Sequence, residues 1–204
     1  IGQWMRDHLL KCFNGRGPTF RDLARQRRQA RHFLNQTMKD LVAASVLIPI
    51  VDRPKGLTVL FTRRSQKLKN HPGQISCPGG RAEKDDKDVV ATALRESQEE
   101  IGLRPERVNV LGQLGLCLTG TGFEVTPVVG LIKEPLGLSL SANEVTETFE
   151  IPLLLLLDEH RYRTDTAVLP SGEEREFYIF DYPQRYIWGA TAQMLVDLRK
   201  LLES

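Results

Sequence analysis

Cysteine is scarce in this chain. Its three residues, Cys12, Cys77 and Cys117, are odd in number and scattered among 204 positions. No disulfide framework and no Cys-x-x-Cys zinc spacing can be drawn from them. We therefore expect reduced thiols and an intracellular, cytoplasmic protein. Long apolar runs are also missing. Residues 41–51 and 151–157 are apolar but far shorter than the roughly 20 residues that span a bilayer. No signal-peptide pattern stands at the start, and because the chain begins at Ile1 rather than Met, residues upstream are expected. Aromatic residues make up only 7%, and none interleave with the basic residues as base stacking on single-stranded nucleic acid requires. Net charge is slight, +2, which by itself steers no partner. Its distribution is uneven: residues 1–40 hold nine Lys/Arg and three Asp, so the remainder carries an acidic excess. Hydrophobic and charged contents of 41% and 26% suit one globular domain with a full core.

What the chain does have is a crowd of carboxylates. Arg95-Glu96-Ser97-Gln98-Glu99-Glu100-Ile101-Gly102-Leu103 places three glutamates within five positions. On an α-helix, Glu96, Glu99 and Glu100 fan over an arc of roughly 100°, with Val90, Leu94, Ser97 and Ile101 on the opposite stripe. A glutamate-rich face is most often simply solvated. The surroundings here suggest more. Arg95 lies four residues before Glu99 and can orient a carboxylate. Asp85, Asp86 and Asp88 suit a helix N-terminus, and Gly102 suits a left-handed C-cap. Pro78-Gly79-Gly80 is a turn able to bring backbone close to a ligand. Like charges at this spacing repel, and a hard divalent cation sharing oxygens with a substrate phosphate would turn repulsion into ligation.

These residues resemble the Nudix box, Gly-x5-Glu-x7-Arg-Glu-U-x-Glu-Glu-x-Gly-U, where U is bulky and aliphatic. The second half matches over residues 95–103, with Ser97 in place of U. In the first half Asp86 replaces Glu, and eight residues instead of seven separate it from Arg95, as if one had been inserted. Upstream, Leu60-Phe61-Thr62-Arg63-Arg64-Ser65, Lys69, Gly73 and Cys77-Pro78-Gly79-Gly80 are similar to the coenzyme A pyrophosphatase signature, Leu-Leu/Met-Thr-x-Arg-Ser-x3-Arg-x3-Gly-x3-Phe-Pro-Gly-Gly. Lys69 stands for its second Arg and Cys77 for its Phe. Residues 187–192 also look like this branch.

The resemblance implies a Nudix-type α/β/α sandwich, an α+β fold with a mixed β-sheet between helices. It implies metal-dependent hydrolysis of a diphosphate, with Mg²⁺ or Mn²⁺ held by Glu96, Glu99, Glu100 and the Gly80 carbonyl. Arg95 and Glu99 are the catalytic candidates: Arg95 to hold a glutamate, Glu99 as ligand or general base. Arg64, Lys69, Gly79 and Gly80 are the substrate-binding candidates, with Arg64 and Lys69 expected to read a 3′-phosphate. His71 is read as structural, and Tyr186 and Trp188 as packing. The expected partner is a small CoA-like diphosphate, without membrane or nucleic acid; a homodimer stays open. Another nucleoside diphosphate derivative, or a non-catalytic module of the same fold, are the rival readings.

Along the chain, residues 1–40 read as a basic N-terminal helical arm, with the helix at 18–40, and residues 41–204 as the hydrolase domain. Arg21, Arg25, Arg27, Arg28 and Arg31 make the arm basic. It is either a solvated surface helix or a phosphate-binding face, and is expected to be dispensable for chemistry. Residues 43–51 and 57–62 read as a hairpin around residues 52–56, and 75–77 as a short strand. The box helix is expected over 86–101. Strands follow at 108–117, 123–131 and 144–149, then a short helix at 153–159. A second hairpin is expected around Pro170-Ser171-Gly172, and an amphipathic helix at 188–202.

Overall fold

The structure, a computed structural model, describes residues 2–14, 41–168, 172 and 174–203. The helix expected at 18–40 and the turn residues Pro170 and Ser171 lie outside the described residues.

Alternation along β1 (Val42–Arg53) explains the layering. Side chains of a strand point to opposite faces in turn. Leu47 and Val51 enter one hydrophobic cluster while Ala44, Ile48 and Ile50 enter another. β2 (Gly56–Arg64) divides the same way, with Leu60 on one side and Leu57, Val59 and Phe61 on the other. Both strands are buried on two faces, so they carry near-continuous apolar runs instead of an apolar/polar alternation.

β1 and β2 form the expected hairpin, closed at Arg53 opposite Gly56. Short strands β3 (Ile75–Ser76) and β4 (Gly79–Arg81) follow, then β5 (Val108–Gln113), β6 (Cys117–Leu118), β7 (Phe123–Lys133) and β8 (Val145–Pro152). The central path is β3-β2-β1-β7-β5, with β4 on β1, β6 on β7 and β8 on β2. β1 and β7 run parallel and the other pairs antiparallel, which makes the sheet mixed, as expected.

Helix α2 (Val89–Ile101) covers one face. Its Ala93 and Ile101, with Leu103 beyond it, pack on Leu47, Val51, Leu60, Val128 and Ile132. The other face is covered by α1 (Gly2–Phe13) and α4 (Gly189–Glu203), with one turn of helix, α3 (Leu153–Leu156). A second sheet of β9 (Tyr162–Val168), β10 (Glu174–Tyr182) and β11 (Arg185–Trp188) sits beside them. This is the α+β sandwich with a mixed sheet between helices.

Several elements depart from expectation: the strand expected at 108–117 is two, β5 and β6, and the short helix expected at 153–159 ends at Leu156. α1 lies within the N-terminal arm but ahead of the helix expected at 18–40: its Met5, Leu9, Cys12 and Phe13, at helical spacing, are buried with the sheet. β4 is a strand that reads as a turn, because backbone pairing with residues 44–46 and not a side-chain pattern defines it. β11 takes the residues expected to open the last helix, and α4 begins at Gly189. No described helix is long and apolar enough to cross a membrane.

Candidate active site

Helix α2 starts three residues later than expected. Asp88 is its N-cap, with the side chain accepting from Ala91 N at 2.8 Å. Gly102, at φ 68°, is the left-handed C-cap, and its N–H reaches the Gln98 carbonyl. Asp86 stays outside the helix because Arg95 uses it. Arg95 Nε and one terminal nitrogen each donate to the Asp86 carboxylate at 3.0 Å, a bidentate fork. Asp86 also accepts from Thr92 Oγ1 and Glu83 N, both at 2.9 Å. The Arg95 fork above all holds its carboxyl well below the usual carboxylate range. The residue standing for the box's first glutamate is thus the arginine's anchor.

Arg95 also donates to Glu96 at 3.1 Å, to Glu99 at 2.9 Å and to the Arg81 carbonyl at 2.9 Å. One guanidinium ties the loop before α2 to the strand β4 and to two of the three box glutamates.

The three glutamates divide. Glu99 is exposed and turned toward Arg95. Glu96 is half-buried against Gly80, and Glu100 is buried, with 5% of its surface exposed. Glu100 Oε2 accepts from Gly79 N at 3.2 Å, and Arg64 approaches its other oxygen at 3.7 Å. The helix has therefore rotated from the symmetrical picture: its buried side includes Glu100 as well as Ser97 and Ile101. Ser97, in the place of a bulky aliphatic, spends its hydroxyl on the Ala93 carbonyl at 2.6 Å.

Burial sets the electrostatics. Desolvation pushes the Glu100 carboxyl up to about 7, against the smaller pull of the Gly79 N–H and Arg64. Desolvation also raises Glu96, partly offset by Arg95. Both carboxyls are raised further by Glu144, which sequence reasoning missed. Glu144 lies just before β8, and its carbonyl accepts from Ser65 N at 2.7 Å. Only tertiary structure could have revealed it, since 44 positions separate it from Glu100.

The Gly-Gly turn is built for close approach. Gly79 backs onto β1, where a Cβ would lie 2.4 Å from the Ser45 carbonyl oxygen and 2.5 Å from Val46 Cα. Gly80 faces the other way: a Cβ there would lie 2.4 Å from Glu96 Cδ. Cys77 is buried before the turn, and desolvation pushes its thiol up to about 12, which makes it an inert packing group. Lys69 is exposed on the loop at 65–73, as are Lys67 and His71.

The structure thus brings Glu96, Glu100, Gly79, Gly80, Arg95 and Arg64 together. It leaves Glu99 one step outward and Lys69 on the surface. Among the described residues, no three His, Cys, Asp or Glu side chains form a ready-made metal cage. The donor chemistry at the Gly-Gly turn nevertheless fits a hard divalent cation. The donors are oxygens, and two of them belong to carboxyls that burial makes difficult to ionise alone.

Comparison with known proteins agrees with this frame. Residues 41–132 match the family model described as the NUDIX domain. A Photorhabdus laumondii protein described as the uncharacterized Nudix hydrolase NudL is 43% identical over 78% of this chain and 84% of its own length. The Klebsiella pneumoniae protein of the same description is 41% identical over 83% and 84%. A MutT/nudix family protein from Enterococcus faecalis has the same fold, with a TM-score of 0.54 at 15% identity over 87% of this chain and 70% of that one. The box helix, the turn it packs on and this similarity lead to one assignment: the chain belongs to the Nudix hydrolases, a family that generally uses divalent metal ions to act on small diphosphate-containing substrates.

Proposed function

We propose that this chain hydrolyses the diphosphate of coenzyme A or its derivatives, giving 3′,5′-ADP and 4′-phosphopantetheine or its acyl form. Water attacks one phosphorus and one P–O bond of the anhydride breaks, so one water is consumed for each substrate. What supports this reading is that the pieces of the upstream motif meet at one place. β2 delivers Arg64, the loop closes with Gly73 N on the Arg64 carbonyl at 3.2 Å, and the Pro-Gly-Gly turn lies against Glu96 and Glu100.

Glu96 and Glu100, with Glu99 and the Gly80 carbonyl, are the proposed ligands of Mg²⁺ or Mn²⁺. Such an ion supplies charge neutralisation on phosphate oxygens and a lowered pKa for bound water. Arg95 holds Glu96 and Glu99 in place through its anchor on Asp86. Glu99, exposed and oriented, is free to act as ligand or to take the proton from water. Gly79 N–H holds one oxygen of Glu100 and so fixes how that carboxyl faces the turn.

A second reading is a Nudix hydrolase for another diphosphate, such as NADH, a nucleoside-sugar or a deoxynucleotide. It is favoured by Cys77, which buries a small thiol where the CoA signature has an aromatic ring. A panel of these substrates with Mg²⁺ or Mn²⁺, its products resolved by mass, decides between them. CoA giving 3′,5′-ADP supports the first reading. Inert CoA beside turnover of another diphosphate replaces it with the second.

A further inference from the structure

Two adjacent arginines end β2, and the fold gives them different tasks. Pairing with β8 sets Arg63 opposite Glu147 but Arg64 opposite Val145, so the register slips between them. The extra residue on β8 is Thr146, whose hydroxyl bonds back to the Arg63 carbonyl at 3.3 Å. A bulge of this kind re-aims side chains at the end of a strand.

Arg63 is tied to an ion-pair cluster away from the Gly-Gly turn. Its Nε donates to Glu147 at 3.1 Å. Glu147 also takes a fork from Arg185, with one bond of 2.7 Å, and Arg185 stacks 4.0 Å from the Phe149 ring centre. Arg185 opens β11, so this cluster rivets the small sheet to the large one.

Arg64 is under-used. Its main chain is held on both sides, by Arg64 N to the Gln74 carbonyl at 2.9 Å and Gly73 N to the Arg64 carbonyl. Its side chain crosses to α2, where the nearest carboxylate oxygen, on Glu100, is 3.7 Å away, beyond good hydrogen-bond length. Its Nε is buried without a hydrogen-bond partner. A guanidinium offers five donors in a planar fork, suited to two oxygens of a phosphate. Here the fork lies beside the carboxyls at the Gly-Gly turn, with donors to spare.

We propose that Arg64 grips the diphosphate common to all substrates of this site, and does not read a 3′-phosphate. This rests on the hydrolase reading above but not on CoA being the substrate. It follows that discrimination among diphosphates is set by other residues, and that Arg64 acts on every substrate alike.

The test pairs binding with kinetics. Inorganic pyrophosphate, which carries the diphosphate and no nucleoside, is titrated into wild type and Arg64→Ala in the presence of Mg²⁺ by calorimetry. Binding should weaken roughly ten- to hundredfold, the range of a lost charge-assisted hydrogen bond. kcat/KM for CoA and for dephospho-CoA should fall by the same factor, so that their ratio stays constant. Arg64→Gln gives the same reading if the alanine variant does not fold, and the melting temperature of each is measured alongside. A loss confined to CoA, or pyrophosphate affinity that is undetectable in wild type or unchanged in a folded variant, overturns the proposal. Should CoA be inert, the pyrophosphate result still stands, and the failure then belongs to the substrate reading.

Discussion

Gly80→Ala separates the fold from the site. Gly80 is not among the glycines with positive φ, so alanine is conformationally allowed there. The obstacle is a side chain: the new methyl would stand 2.4 Å from Glu96 Cδ and Oε1 and 2.6 Å from Oε2. Ordinary contact begins at 3.4 Å, so the carboxylate must retreat by about 1 Å. A carboxylate at the end of a flexible side chain can do this cheaply, and we expect a melting temperature close to wild type. The site cannot tolerate the movement equally well. A misplacement of about 1 Å in a catalytic constellation costs on the order of a hundredfold in rate. The assay is turnover against Mg²⁺ concentration, with the expected signature a hundredfold loss of kcat/KM and a raised metal requirement. Gly79→Ala is the contrast. Its methyl would press on the Ser45 carbonyl and Val46 Cα, both backbone, so β4 must part from β1. That variant should lose about 1–3 kcal/mol or more of stability. A folded Gly80→Ala enzyme with normal turnover and normal metal dependence would refute the proposal that Glu96 is a metal ligand.

Glu100→Gln should lower turnover by about two to three orders of magnitude, as loss of one charge-stabilising group does elsewhere. The same variant tests the buried carboxyl in metal-free protein. The folded group titrates at about 7 against 4.5 for the ordinary group, so the folded state keeps its proton longer. Wild-type stability should therefore fall as pH rises from about 4.5 to 7, by at most about 3 kcal/mol, and the glutamine variant should lack this slope in denaturant titrations. Leu9→Ala should cost about 2–5 kcal/mol, because Leu9 is fully buried between α1 and the sheet, while turnover per folded molecule stays normal; an unchanged melting temperature would detach α1 from the core. Arg95→Lys keeps the charge but loses the fork on Asp86, and should cost about 1.5–3 kcal/mol together with a fall in kcat; equal stability would show that the fork is dispensable.

Legibility in the sequence followed the physics of each feature. The C-cap Gly102 could be read because a glycine after a helical run settles it locally, whereas three aspartates, Asp85, Asp86 and Asp88, competed for the N-cap and the structure gives it to Asp88. Strands β1, β2 and β7 could be read because two-sided burial writes runs rich in aliphatic residues. β4 could not, since Gly79-Gly80-Arg81 pairs through its backbone and carries no pattern of its own. The turn before β11 hides for a related reason. Gln184 adopts φ 59° where a glycine would have announced a turn. For α1 the signal was present, because positions 5, 9, 12 and 13 are one helical face, but the charges between them diluted it. Helical spacing grouped the three glutamates but could not say which would be buried. That depended on where β4 passes, and β4 was the strand without a pattern. Arg95's bidentate fork goes to Asp86, outside the helix, while its remaining terminal nitrogen still reaches Glu96 and Glu99, so the arginine holds the box glutamates from an anchor in the loop. Asp86 stands nine positions before Arg95 and meets it from the loop ahead of α2. Its carboxylate also takes the N–H of Glu83, so the loop closes on itself beneath the arginine. The aspartate that departs from the motif's first glutamate is, in three dimensions, Arg95's anchor.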